Sequence, residues 1–382
     1  RTRVHEYGGR CFCVHGDNLV FNNYGDGRLY IQSIADGDED AVPRALTCEQ
    51  PGIIGFADLS TLNGHIVAVV EKTRPDQENE NLLVAVSLDR EESEPISLVS
   101  GSDFYASPVV DPEGRWLAWL EWSHPEMPWD CSRLMRARVN RSQGLSLDAP
   151  EIVVKAGETT VSQPGFLDDG SLVFAMDSPL ADWSNLYRWT DGNLIQLTRE
   201  AGEFGEAHWV FGQRRWAQVN EDKLVAICTG SSGDRLLSVD LNGDLAAEPL
   251  MRAAELSQLS IAEAGALVVV APEDRPRHVM RVDPLSGENA HIGSTPAPLL
   301  RHGYSKPRLL QGCSENDEVS WAYHYPPFHP DYVDLAEGLP PLVVMVHGGP
   351  TARSSSAFHP LRQYFTSLGF AVLDVNHRGS TG

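Results

Sequence analysis

Positive charge is scarce in this chain. Thirty Lys and Arg stand against 53 Asp and Glu, a formal net charge of -23 over 382 residues. A field of that sign repels the phosphate backbone that a nucleic-acid binder must neutralise, so DNA and RNA are excluded as expected partners. The surplus carboxylates read as a solvated face that keeps the chain in solution. Cysteine is sparse as well: Cys11, Cys13, Cys48, Cys131, Cys228 and Cys313 lack the paired spacings of a zinc site or a disulfide framework. Reduced thiols in a cytoplasmic protein are expected, with no metal and no cofactor. Long apolar runs are missing too; Leu342 to Val346 and Ala266 to Ala271 are strand-sized, far short of the roughly 18 residues of a membrane span. No membrane attachment is expected. The chain opens on Arg1-Thr2-Arg3 without an initiator Met or signal-type leader, which reads as a piece of something longer.

What is present is turn chemistry and repetition. The length suits two domains or one large repeat fold, and 33 Gly with 25 Pro exceed the usual share. A turn followed by an apolar run recurs at Asn18-Leu19-Val20-Phe21, His65-Ile66-Val67-Ala68, Arg115-Trp116-Leu117-Ala118, Ser171-Leu172-Val173-Phe174, Lys223-Leu224-Val225-Ala226 and Ala266-Leu267-Val268-Val269, at spacings of 47, 50, 56, 52 and 43. A second, more alternating run follows each, among them Arg28-Leu29-Tyr30-Ile31, Asn81-Leu82-Leu83-Val84 and Asn185-Leu186-Tyr187-Arg188-Trp189. Turns such as Thr190-Asp191-Gly192-Asn193 and Leu241-Asn242-Gly243-Asp244 then lead into another short apolar piece. Six such units describe blades of four antiparallel strands, a mainly β β-propeller with six recognisable blades. A long β-sandwich is the rival, but it has no reason to repeat its whole strand order about every 50 residues.

The pattern changes after about Leu300. Ser320-Trp321-Ala322-Tyr323-His324-Tyr325 alternates as an exposed strand does, and Leu342-Val343-Val344-Met345-Val346 reads as a parallel strand covered on both faces. His347-Gly348-Gly349-Pro350-Thr351 ends it. Between Ala352 and Leu368 the residues Phe358, Leu361, Phe365 and Leu368 fall at helical spacing, with Gly369 as the cap; Phe370 to Val375 is a further buried strand. Strand, turn, helix, strand is one crossover of an α/β sheet, and its His-Gly-Gly turn resembles that of an α/β-hydrolase domain, of which this would be the opening. A glycine turn in that position can aim a backbone N–H at an oxygen that becomes negative during acyl transfer. Glycine is expected there because the backbone must approach a substrate closely and take conformations closed to residues with a Cβ. Gly349, flanked by Gly348, is the candidate oxyanion donor; a tight turn without a ligand is the alternative.

The segments Val346-His347-Gly348-Gly349-Pro350-Thr351 and Phe370 to Gly382, joined to the repeats and to His5-Glu6-Tyr7-Gly8-Gly9, Ser102 to Pro108, Asp111 to Trp119 and His124 to Asp130, resemble the prolyl oligopeptidase family of serine peptidases. The acylaminoacyl-peptidase and dipeptidyl-aminopeptidase-like branch is the most similar. The resemblance implies residues 1–305 as a propeller cap domain, incomplete at its N-terminus and seven-bladed when complete, and residues 306–382 as the truncated N-terminal part of a hydrolase domain. It implies cleavage of short peptides by an acyl-enzyme, with Ser, Asp and His in that order. The chain departs from the family in one respect: no Gly-x-Ser-x-Gly occurs in it. None of its 13 histidines is assigned to a triad, and this chain alone is expected to be inactive.

The remaining candidates are Trp129 and Asp130, an aromatic and a carboxylate in a Pro-rich loop that could meet a substrate amine, and Glu6, which could do the same; loop ordering is the alternative for each. His347 is expected to brace the oxyanion loop, and Asp374 to bond neighbouring backbone. Two function classes follow: a serine peptidase whose propeller gate and oxyanion loop lie in this chain, and a non-catalytic propeller module that binds peptide or protein. Either is compatible with a monomer or an oligomer.

Overall fold

The computed structural model describes residues 1–35, 41–50, 52–155, 157, 159–178, 181–243, 245, 247–293, 303–313, 319–331, 338–349 and 351–381. Pro350 of the glycine turn and Asp244 of the second hairpin turn lie outside these. The chain divides into two compact units, one of residues Arg1–Arg199 with Gly205–Gln213, the other of Glu200–Phe204 with Arg214–Gly382.

Unit one holds four antiparallel sheets. The first is β1 (Phe12–His15), β2 (Asn18–Asn22), β3 (Leu29–Ser33) and β4 (Arg44–Ala45); the second is β5 (Ile53–Leu62), β6 (His65–Arg74), β7 (Gln77–Ser87) and β8 (Ile96–Val99). The third is β9 (Phe104–Val110), β10 (Trp116–Trp122), β11 (Arg133–Asn140), β12 (Ser146–Leu147) and β13 (Glu151–Val154); the fourth is β14 (Val161–Phe166), β15 (Leu172–Ser178), β16 (Ala181–Thr190) and β17 (Asn193–Gln196). Unit two has two more of the same kind, β18 (Trp216–Gln218), β19 (Lys223–Gly230), β20 (Gly233–Asp240), β21 (Ala247–Ala253), and β22 (Glu255–Ala262), β23 (Gly265–Ala271), β24 (His278–Val282), β25 (Asn289–His291).

The six repeated runs all land on the second strand of a sheet: β2, β6, β10, β15, β19 and β23. Their unbroken apolar character has a simple cause. Successive residues of a strand point to opposite faces, and at β6, β10, β15 and β19 both faces are covered, whereas β2 and β23 bury mainly alternate residues. On β6, Ile66, Ala68 and Val70 pack toward the first sheet, while Val67 and Val69 pack toward Tyr105, Leu117 and Trp119 of the third. The β16–β17 turn is the two-residue hairpin that its sequence announces, with Asp191 and Gly192 both at positive φ.

Composition did not announce a recurring bulge in the first strands. Asp58, Ser107, Gln163 and Gln258 of β5, β9, β14 and β22 each take a left-handed backbone, φ 46 to 55, beside a shift in strand register. Asp58 is buried, and its carboxylate accepts the Ser107 N–H at 2.5 Å.

The last sheet is mixed. It comprises β26 (Arg308–Cys313), β27 (Val319–Tyr325), β28 (Leu342–Val346) and β29 (Ala371–Asn376) in the order β26-β27-β29-β28, with β28 and β29 parallel and helix α1 (Pro360–Ser367) between them in sequence. The crossover is as the sequence indicates, but two expectations are corrected. β28 is an edge strand, and Leu342, Val344 and Val346 on one of its faces are exposed; only Val343 and Met345 pack inward, against Tyr323, Tyr325 and Val372. The helix is shorter than its apolar spacing suggested, and its fully buried residues are polar, with Phe365 half-buried against Tyr323, Tyr325 and Val372. Arg362, Gln363 and Thr366 are buried, whereas Leu361 and Leu368 are exposed. Among the described residues, no helix is long and apolar enough to cross a membrane.

Candidate functional site

The glycine turn sits at the C-terminal ends of the two parallel strands, the position where open α/β sheets bind ligands. β28 delivers His347, Gly348 and Gly349; β29 delivers His377 and, two residues on, Gly379 and Ser380. The two imidazoles stack, centroids 4.4 Å apart and planes 24° from parallel. Nδ1 of His347 lies 2.7 Å from the Gly348 carbonyl oxygen, and its Nε2 lies 2.7 Å from the Ser380 hydroxyl.

Gly348 and Gly349 are exposed, and among the described residues neither amide N–H has a partner. The conformational reason given above for glycine does not hold, because neither residue is in the left-handed region. A Cβ on either would meet nothing within 4 Å. What the pair provides is two exposed amides, unpartnered among the described residues, with open space at both Cβ positions, features that an oxyanion site requires.

The segment that follows the turn is pinned along its length, all within unit two. The Ala352 carbonyl accepts the Thr381 N–H at 3.0 Å. Arg353 pairs with the buried Asp234 of β20 at 2.7 Å. Ser354 is clasped by Asn376, which accepts its N–H at 2.7 Å and donates to its carbonyl at 3.0 Å, while the Ser354 hydroxyl donates to Asp374 at 2.6 Å. Ser355 donates its hydroxyl to Glu255 at 2.5 Å, and Phe358 its N–H to the Pro272 carbonyl at 2.7 Å.

Beneath this strap Arg362 pairs with Asp374 and donates to the carbonyls of Ser355 and Ala357 at 2.9 and 3.0 Å. Asp374 therefore serves side chains, not the backbone expected from sequence. Burial pushes the Tyr325 phenol up to about 12, so it stays protonated beside Arg362 and the Ser355 carbonyl. Three carboxylates, Asp234, Glu255 and Asp374, thus fix a polar loop that carries little hydrophobic burial of its own. Charge-assisted bonds of this kind hold geometry more tightly than neutral ones.

Sequence reasoning missed this strap. Its one local mark is the polar run Thr351-Ala352-Arg353-Ser354-Ser355-Ser356 where helix was expected. A cleft of about 210 Å³ borders the strap, lined by Trp321, Tyr323, Arg353, Asn376 and Ser380 among others.

Of the candidates of unit one, Trp129 contacts Trp209, as does Tyr7, the residue after Glu6. Trp129 lies against that indole with centroids 4.4 Å apart and planes tilted by 36°, and Tyr7 meets it edge-on at 5.4 Å. The Asp130 carboxylate accepts the Met127 N–H at 3.4 Å, which ties it to its own turn, while Glu6 is exposed at φ 66. Close by, His5, His208, Asp58, Ser107 and Gln163 line a pocket in which three of the bulge residues converge. Burial lowers both His5 and His208 to about 4, the Asn81 side chain opposing the effect at His5. Both rings are neutral at physiological pH.

No family model matches the chain. Among solved structures, a variant of puromycin hydrolase complexed with PGG superposes with a TM-score of 0.90 at 30% identity, over 100% of this chain and 60% of its own. Prolyl oligopeptidase B from Galerina marginata, at 13% identity and a TM-score of 0.71 over 98% of this chain and 54% of its own, shares the fold. Dipeptidyl aminopeptidase BIII from Pseudoxanthomonas mexicana is 55% identical over 42 residues, 11% of this chain and 6% of that protein. The chain thus spans 60% of the length of the puromycin hydrolase it matches. On sequence and fold together, the chain is similar over its whole length to puromycin hydrolase and shares the fold of prolyl oligopeptidase B.

Proposed function

We propose that the protein is a serine-type peptidase that hydrolyses short peptides, of aminopeptidase, dipeptidyl- or acylaminoacyl-peptidase type, and that this chain supplies its gate and its oxyanion loop. The six antiparallel sheets, within residues 1–305, are read as blades of a β-propeller, and residues 306–382 as the opening of the hydrolase domain. The supporting observation is the Gly348–Gly349 turn: two exposed, unpartnered amides held by a strap of charge-assisted bonds at the C-terminal ends of parallel strands. A module that only binds peptides has no need of that arrangement.

In this reading a serine hydroxyl adds to the scissile carbonyl while a histidine takes its proton. The carbonyl oxygen becomes negative and is met by the Gly349 N–H; the imidazolium then protonates the departing amine, and water releases the acyl group by the same steps. The chain has no Gly-x-Ser-x-Gly, so none of its serines or histidines is assigned to the triad. Glu6, Trp129 and Asp130 are the proposed contacts for the substrate's amine end. A cytoplasmic location agrees with six free cysteines, and the charge of -23 disfavours nucleic acid. Turnover of aminoacyl arylamides by the whole protein is the test. Hydrolysis of p-nitrophenyl esters alone would replace the peptidase with an esterase, and hydrolysis of neither would leave a binding module.

A further inference from the structure

We propose that the cavity beside the first strands of the second, third and fourth sheets is a water site, in which one enclosed water bonds both His5 and His208. The site lies wholly in unit one and is independent of the peptidase reading. Its volume is about 20 Å³, and a single water needs roughly 10–15 Å³ of such space. That sets the size of the occupant.

The cavity also holds polar atoms in need of a partner. Nε2 of His5 and Nε2 of His208 are sealed from solvent, and among the described residues neither has a hydrogen-bond partner. Both rings line the cavity, together with Asp58, Ser107 and Gln163. Buried polar atoms left unpaired are costly and rare in folded proteins. Burial lowers both imidazoles to about 4, so each is neutral, and each Nε2 is either a bare acceptor or an N–H donor.

Water is the occupant that answers either tautomer, because it donates to a bare nitrogen and accepts from an N–H. An ammonium or alkali ion serves only bare nitrogens, and a chloride serves only N–H groups. The Asp58 carboxylate weighs further against chloride. It accepts from the Ser107 N–H at 2.5 Å and from Arg10 at 3.4 Å, which offsets its charge and weakens its draw on a cation.

The site stands where chain segments meet without bonding one another through these rings. The His5 N–H donates to Glu71 of β6 at 2.7 Å, and the Phe211 N–H to the Gly8 carbonyl at 2.9 Å, so the segment after His5 is paired to the one after His208. The bulged residues of β5, β9 and β14 face the same cavity at the points where their own ladders shift register. A shared water turns those breaks into a joint between three sheets and the two segments.

Two measurements on the whole protein test the site. In a crystal structure at about 1.5 Å or better, a density peak within about 3.2 Å of both Nε2 atoms is expected; a cavity without one overturns the proposal. His5→Phe and His208→Phe keep a ring and delete the nitrogens. With a shared water, each should lower the folding constant in urea about three- to tenfold, and the double variant should lose less than the product, because the second substitution acts on a water already loosened. In a dry cavity each substitution removes an unpaired nitrogen, so the constant would rise and the two rises would multiply, which overturns the water. The parent and His208→Phe should respond alike to ammonium chloride; a rise in the urea midpoint that His208→Phe abolishes would put a cation in the site instead.

Discussion

Arg353 and Asp234 meet at 2.7 Å across 119 residues of sequence, joining the strap behind the glycine turn to the start of strand β20. Asp234 is buried and takes two further donors, the Thr229 hydroxyl at 2.7 Å and the Leu256 N–H at 2.8 Å, so its charge is fully engaged. Removing the arginine leaves that charge uncompensated. Arg353→Met should therefore destabilise unit two by about 3 kcal/mol, and Asp234→Asn added to it should restore part of the loss, because no buried charge then remains. Urea unfolding of the four members of the cycle measures both; additive losses would mean the pair is not coupled.

The helix makes a contrasting prediction. Apolar spacing alone nominates Leu361 and Leu368 as core, but both are exposed, and Arg362 beneath them carries the contacts. Leu361→Ala and Leu368→Ala should change stability by less than about 0.5 kcal/mol, and Arg362→Met by about 3 kcal/mol or more, since it strands Asp374. Equal losses in the three variants, read by thermal unfolding, would restore the sequence-based face.

Unit one should weaken as the solution turns mildly acidic. His5 and His208 have folded pKa values of about 4, below the 6.5 of an unfolded histidine. Between those values the unfolded chain binds more protons, so stability is complete above pH 6.5 and falls as pH drops toward 4, by up to about 3 kcal/mol for each ring. Asp274, held low by its hydrogen bond from Arg275, acts only below the ordinary carboxylate range, so the two windows separate. Urea midpoints at pH 7 and pH 5 should differ in the parent and differ less in His208→Gln. An unchanged gap would mean the ring is not buried neutral.

Trp119 tests the doubly covered strands. It is fully enclosed between the second and third sheets, and its Nε1–H donates to Glu121 at 2.8 Å. Trp119→Ala should cost about 3–5 kcal/mol, and Phe12→Ala, on the exposed face of β1, close to nothing. Chemical denaturation of the two variants decides it.

The sheets could be read from sequence because their signals are local. The run that became β15 is announced by Asp169-Gly170 before it, and the β16–β17 hairpin by Asp191-Gly192. The bulges at Asp58, Ser107 and Gln163 could not, since three different non-glycine residues adopt a left-handed backbone that leaves no mark in composition. The glycine turn is legible as a motif, but of the two reasons for glycine the conformational one fails, since neither residue is in the left-handed region, while open Cβ positions agree with the need for close approach. The strap was illegible because Asp234 and Glu255 lie 119 and 100 residues from their partners, and a periodicity argument scores polar residues only as surface.

The central claim is that the Gly349 N–H meets a developing negative oxygen, and one comparison addresses it directly. Gly349→Ala keeps the N–H, in a backbone conformation open to alanine and with nothing within 4 Å of the added carbon. Gly349→Pro removes the N–H and nothing else polar. In the whole protein, kcat on an aminoacyl arylamide should fall no more than about tenfold for the alanine variant and about 10²- to 10³-fold for the proline variant, with both still folded by thermal unfolding. Equal rates in the two folded variants would contradict the assignment.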